Sequence, residues 1–195
     1  MNFPVVFATR NLHKLNEVKD FMPEINLYSL KDYPDISSPV EDGRTFLENA
    51  VIKAESIYKQ LRVPVIADDS GLEVYELNNR PGIFSKRYAG ENATDEERIK
   101  KLLDELKDIP FEKRKARFVC VAVLKISNKL YSVTGICEGY ISFTPRGNNG
   151  FGYDPVFYLP DIGKTMAELS RQEKGCLSHR GNAFKKLYEI IKGIG

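Results

Sequence analysis

The chain has 195 residues, of which 42% are hydrophobic and 29% charged. That length suits a single domain over 1–195, in one lobe or two, with a sizeable core and an ordinary globular composition. Lysine and arginine number 29 against 27 acids, a net charge of +2, too balanced for a protein that coats nucleic acid or is drawn to a membrane. Cys120, Cys137 and Cys176 are far apart and outside any CxxC pair, as expected of buried, reduced thiols in a cytosolic protein. The first residues lack a basic leader with a long apolar region, and no apolar run has the length of a membrane helix. A cytoplasmic location is therefore expected.

Residues 5–8 read as a first strand. Thr9-Arg10-Asn11 makes a loop, and a helix follows because Leu15, Val18 and Met22 recur at helical spacing, with Asn11 as its N-cap. Lys14 then lies in the first turn, where a cation opposes the helix dipole. Either an anion binds there, held by free amides, Arg10 and Lys14 as a phosphate would be, or these are surface cations on an ordinary strand-loop-helix. No G-x-G-x-x-G and no Walker A pattern is present, so neither nucleotide fold is indicated. Residues 35–43 form a polar, Pro-containing loop carrying Glu41 and Asp42. A second helix starts at Thr45, with a stripe of Phe46, Leu47, Ala50, Val51, Ala54, Ile57, Tyr58 and Leu61. Thr45 and Glu48 match a capping box. Lys53 falls on the border of the stripe, where it either snorkels or leans along the core toward a cleft. Glu41 has no comparable local duty and is the better candidate for a metal-facing carboxylate.

Residues 65–67 read as a short buried strand ended by Asp68 and Asp69; Ser70 and Gly71 turn the chain, and Leu72 and Val74 begin a second run. Consecutive residues on extended backbone point to opposite faces, so the two aspartates cannot share one role. Adjacent acids at the end of an apolar strand need a positive neighbour. A divalent cation such as Mg²⁺, which takes one or two carboxylates, is the economical answer; the alternative is an Asx turn capped by Asp68 with Asp69 solvated.

Residues 78–90 form a Gly-bounded loop with cations and aromatics, either a mobile flap over an anionic ligand or a surface loop pinned by its rings. Residues 94–106 read as a helix with a T-x-x-E box and a stripe of Ile99, Leu102, Leu103 and Leu106. Lys113-Arg114-Lys115 reads as a solvated basic run. Extended runs over 116–126, 130–136 and 138–144 are expected to form an antiparallel meander, the first of them central in the sheet. In Gly150-Phe151-Gly152-Tyr153-Asp154-Pro155 two glycines bracket an aromatic, which suits a flat ligand with Phe151 or Tyr153 stacked on a base, or simply a tight turn with core aromatics. Thr165 and Glu168 cap a short helix, broken at Gly175-Cys176-Leu177. Ser178 caps the last helix, with His179 and Arg180 in its first turn. Ser178-His179 is not a nucleophile pair, since adjacent side chains diverge.

Taken together, Thr9-Arg10-Asn11-Leu12-His13-Lys14 (T-x-N-x-x-K), Glu41 with residues 45–50, Lys53-Ala54, Asp68-Asp69-Ser70-Gly71-Leu72, residues 81–85, residues 150–155 and Ser178-His179-Arg180 resemble the inosine/xanthosine triphosphate pyrophosphatase family. The resemblance runs from Val5 to about Leu187, with Asn149 standing where a glycine is expected. It implies an α/β fold: an elongated, strongly bent mixed β-sheet flanked by helices, in two lobes with a nucleotide cleft between them. It implies Mg²⁺-dependent hydrolysis of ITP, dITP or XTP to the monophosphate and pyrophosphate, and a homodimer, with no nucleic-acid or membrane partner. By the same resemblance, Thr9, Asn11, Lys14 and Lys53 meet the triphosphate. Asp69 is the general base and a metal ligand with Glu41, supported by Asp68, and Ser70 touches the substrate. Phe151, Gly152, Tyr153, Asp154, Lys174, His179 and Arg180 form the base end. Two rivals remain open: a related pyrophosphatase acting on pyrimidine or modified nucleotides, and a silent nucleotide sensor or RNA-binding module, which would be expected to lose the carboxylates.

Overall fold

The computed structural model describes residues 4–194. Its strands are β1 (Val5–Phe7), β2 (Leu27–Ser29), β3 (Val65–Val74), β4 (Arg80–Pro81), β5 (Lys115–Ile126), β6 (Lys129–Ile141), β7 (Phe157–Leu159) and β8 (Lys164–Thr165). The helices are α1 (Leu12–Phe21), α2 (Phe46–Leu61), α3 (Asp95–Glu105), α4 (Arg171–Leu177) and α5 (His179–Ile194). The strands form one mixed sheet in the order β2-β1-β3-β5-β6-β7-β8, with β4 paired to β3, so the mixed α/β architecture expected from the sequence is present. The described residues fall into two compact units, one within Met1–Ser70, Cys120–Gly135 and His179–Gly195, the other within Gly71–Val119 and Ile136–Ser178.

In the first unit β1 runs parallel to both β2 and β3. Asn11 caps α1 by accepting the N–H groups of His13 and Lys14. Leu15, Val18 and Met22 of the α1 segment join Ala183, Phe184, Leu187 and Ile191 of α5 over one face of the sheet, against Val5, Phe7, Ile66, Cys120 and Leu124. Val6, Val65 and Ala67 are fully buried and point the other way by strand alternation. That side belongs to α2, whose Ala50, Ala54 and Ile57 are fully buried and whose Asn49 and Lys53 reach β3. Thr45 caps α2 through the Glu48 N–H, but the Glu48 carboxylate closes on the Arg44 N–H instead of on Thr45.

The second unit packs α3 against antiparallel strands. Ile99, Leu102 and Leu106 meet Leu72, Val74, Phe118, Ile141, Phe157 and Leu159, and Thr94 with Glu97 forms the expected capping box. Thr165 and Glu168 form another.

Several expectations are corrected. Residues 65–74 are one unbroken strand, because Asp68 and Asp69 are satisfied by side chains from elsewhere and need no turn. Residues 130–141 are also one strand: Gly135, Cys137, Gly139 and Ile141 are buried in strict alternation, and the next antiparallel partner is β7. Residues 78–90 are not loop throughout: a short strand, Arg80–Pro81, is followed by a 3₁₀ helix, Gly82–Arg87. α4 runs through Gly175 and Cys176, capped by Ser170 with Glu173, and Cys176 is exposed. Arg114 is 2% exposed. Its guanidinium donates to the carbonyls of Leu106, Ile109 and Ser142 and lies 4.1 Å from the Phe143 ring centroid. A buried cation satisfied by three carbonyls is hard to replace. Arg114→Leu should therefore lower unfolding stability in urea by at least about 2 kcal/mol, while Lys113→Ala leaves the midpoint nearly unchanged. Equal effects would return Arg114 to the solvated surface.

Candidate active site

Strand alternation sorts the residues of β3. Residues 65, 67 and 69 project toward α2, whereas 66, 68 and 70 project toward α1 and α5. The adjacent aspartates consequently meet different partners.

Asp68 is 1% exposed. Lys14 Nζ, from the first turn of α1, donates to both its oxygens at 2.9 and 2.8 Å. Arg180, from the first turn of α5, lies 3.5 Å from Oδ2 and donates to Ser70 Oγ at 2.9 Å and to Glu17 Oε2 at 2.7 Å. The Cys120 thiol stands 3.9 Å behind the same carboxylate. Burial alone would raise the Asp68 carboxyl, but Lys14, Arg180 and Lys53 outweigh it and hold it well below the usual carboxylate range. Burial draws the Lys14 ammonium below its ordinary value against the pull of Asp68, helped by repulsion from Arg180 and Lys53. Burial pushes the Cys120 thiol up to about 12, so it is a neutral neighbour.

Asp69 is half-buried. Its Oδ2 accepts from Asn49 Nδ2 at 3.1 Å and its Oδ1 from the Ser70 N–H at 3.1 Å. Burial raises its carboxyl, with Glu41 adding to the rise, against Lys53, the Asn49 bond and Lys14. Lys53 Nζ bonds the Asp68 carbonyl at 2.9 Å and pairs with Glu41 Oε2 at 3.0 Å. Burial would lower Lys53, yet Asp68, Asp69 and Glu41 together raise it. Glu41 and Asp69 thus form an all-oxygen pair that repel each other, which fits a hard cation. Asp68 has both oxygens on Lys14. No group of three or more metal-capable His, Cys, Asp or Glu side chains occurs among the described residues; two carboxylates are as many as a Mg²⁺ site commonly takes from a protein.

At the start of α1, Thr9 Oγ1 accepts the Asn11 N–H. Leu12 and His13 are exposed. Arg10 is engaged elsewhere: its guanidinium donates to the carbonyls of Leu30 and Ile36 at 3.1 and 2.7 Å. These two bonds tie the start of α1 to the loop after β2.

In the second unit Asp154, 3% exposed, accepts from the Phe151 N–H at 2.9 Å and Lys174 Nζ at 2.7 Å. Lys174 Nζ sits 4.8 Å from the Phe151 ring centroid. Gly150 has φ +81°, and a Cβ there would stand 2.1 Å from Asp154 Oδ2, so only glycine fits this turn. The Gly152 N–H donates to Asp95 at 2.6 Å. Tyr153 is 4% exposed and donates to the Ser85 carbonyl. It is therefore a core anchor, whereas the Phe151 ring keeps partial access to solvent. His179 and Arg180 belong to the first unit and Phe151, Asp154 and Lys174 to the second. Sequence reasoning missed Glu17, Asn49 and Asp95. Glu17 and Asn49 carried one usable signal: each lies one helical turn from a predicted lysine, Lys14 or Lys53.

The model of the Ham1 family matches residues 5–190. A protein named dITP/XTP pyrophosphatase from Bacillus cereus is 50% identical over 192 residues, covering 96% of this chain and 94% of its own. Another of that name from Geobacillus kaustophilus is 50% identical, covering 98% and 97%. The solved HAM1 protein of Coxiella burnetii superposes with a TM-score of 0.90 at 42% identity, covering 98% of this chain and 99% of its own. The Ham1 protein of Staphylococcus aureus gives 0.89 at 43%, covering 99% and 100%.

The Asp68 cluster makes a stability prediction. Asp68→Asn leaves Lys14 buried without its counter-charge and Arg180 with Glu17 alone, and should cost about 3–5 kcal/mol near neutral pH. Because the folded carboxyl lies below its unfolded value, its contribution is complete above the unfolded value and is lost as pH falls toward the folded one. The gap between wild type and Asp68→Asn in urea unfolding should hold above about pH 5 and close progressively below about pH 4. A gap independent of pH would mean that the carboxylate charge is not what the cluster needs.

Proposed function

This chain belongs to the Ham1 family, and from that premise we propose a residue-level reading of its chemistry. It hydrolyses non-standard purine nucleoside triphosphates, ITP, dITP and XTP, to the monophosphate and pyrophosphate, and so keeps such bases out of DNA and RNA. The observation that carries the assignment of roles is the opposed surroundings of Asp68 and Asp69. Asp68 is locked as an anion among buried cations, which unfits it to accept a proton. Asp69 is half-buried, with its carboxyl raised and only neutral donors bonded to it. It is the group suited to orient the attacking water and take its proton.

Glu41 and Asp69 would hold Mg²⁺, which would neutralise triphosphate charge. The Lys14 and Lys53 ammonium groups, with Thr9 and Asn11 at the start of α1, meet the phosphates, and Ser70 touches the substrate. Phe151 stacks on the base, beside Gly152, Asp154 and Lys174 of the second unit, and the family resemblance assigns His179 and Arg180 to base reading as well. Lys174 and Arg180 carry only donors, which suit the 6-keto oxygen of hypoxanthine and xanthine and leave the 6-amino group of adenine unmatched. The reading also includes a homodimer and a cytoplasmic site of action, where nucleotide pools lie.

Pyrophosphate release across ITP, dITP, XTP, GTP, ATP and pyrimidine triphosphates, with and without Mg²⁺, tests this directly. ITP, dITP and XTP should be preferred and the metal required; preference for a pyrimidine would replace the substrate reading. Asp69→Asn should lower kcat by at least about 100-fold, the scale of a positioned base. Near-normal turnover would remove Asp69 from the mechanism. Lys14→Ala should raise KM alike for every base, and a changed ITP-to-GTP ratio would move Lys14 to the base end.

A further inference from the structure

We infer that Asn49 is a positioning residue for the metal-facing carboxylates, its amide fixing Asp69 with one end and the Glu41 loop with the other. This rests on the assignment of Glu41 and Asp69 to Mg²⁺. Asn49 is 2% exposed, and a buried amide is costly unless both ends are bonded. Nδ2 donates to Asp69 Oδ2 at 3.1 Å, and Oδ1 accepts the Gly43 N–H at 2.9 Å. The partners differ in kind, one pure acceptor and one pure donor, so the amide has a single workable orientation. A carboxylate at this position would keep the loop bond and lose the donor to Asp69; an aliphatic side chain would lose both.

The loop side is built to match. A Cβ on Gly43 would stand 2.7 Å from Asn49 Oδ1 and 2.8 Å from Glu48 Cβ, so the backbone approaches Asn49 as only glycine allows. Glu41, two residues earlier, is held by Lys53 at 3.0 Å. Lys53 lies one turn after Asn49 on the same face of α2. One helix face therefore grips the Glu41 loop at two points and Asp69 at a third, and the two carboxylates stand prepared before any cation arrives.

The test uses Mn²⁺ as a spin probe, titrated into the substrate-free protein and followed by water proton relaxation, alongside the Mg²⁺ dependence of kcat and KM for ITP. Asn49→Leu removes both bonds; Gly43→Ala keeps the Asn49 donor to Asp69, pushes the loop away from Asn49 and Glu48, and remains informative if Asn49→Leu proves unstable in urea unfolding. Both should weaken Mn²⁺ binding and raise the Mg²⁺ half-saturation, Asn49→Leu by about 10–100-fold, the usual cost of removing a hydrogen bond behind a metal ligand. KM for ITP at saturating Mg²⁺ should stay near wild type. Folded variants that bind Mn²⁺ and respond to Mg²⁺ like wild type overturn the role of Asn49 while leaving the ligands standing. A wild type that binds no Mn²⁺ and needs no Mg²⁺ overturns the ligand assignment and this role with it.

Discussion

Asp68 is an ionised carboxylate almost sealed from water, and the rest of the first unit's site depends on how it is neutralised. Lys14 reaches it from α1 and Arg180 from α5, so one buried anion fixes the first turns of two helices against β3. Such clusters add little net stability, because desolvation offsets most of the attraction. Their effect is positional. Arg180 spans Glu17, Ser70 and Asp68, which leaves few arrangements of α1, α5 and the strand that satisfy every charge. With Asp68 committed to that face, alternation turns Asp69 to the other, where its bonded neighbours are the Asn49 amide of α2 and the Ser70 N–H.

The second unit contains a smaller version of the same device. The Asp154–Lys174 pair is buried on both sides. It closes the turn over 150–154, gives Phe151 its backbone anchor and brings a cation to the ring. A buried ion pair sets helix-start geometry in the first unit and loop geometry in the second, while the groups assigned to chemistry or stacking, Asp69 and Phe151, keep partial access to solvent.

Local rules were legible in the sequence. The Asn11 cap and the boxes at Thr94 and Thr165 are short-range hydrogen-bond patterns, and they stand where residue types put them. The divergence of Asp68 and Asp69 followed from strand periodicity alone. What failed depended on partners distant in sequence. The paired acids read as a break in β3 because the lysine and arginine that satisfy Asp68 and Ser70 lie 54 and 110 residues away. Arg114 read as surface because its carbonyl acceptors, at 106, 109 and 142, come together only in the fold. Asn49 sat inside a stretch already explained by helix capping, and its second duty showed only when Gly43 and Asp69 were placed on either side of it.

The central claim is that two neighbouring aspartates are driven in opposite directions by the two faces of one strand. Carbon-13 NMR of the aspartate side-chain carboxyls, titrated on the metal-free protein and assigned with Asp68→Asn and Asp69→Asn, measures this directly. Asp69 should titrate above the ordinary aspartate value of 3.8 while Asp68 stays ionised below it. Both titrating together near that value, or Asp68 above Asp69, would contradict the account.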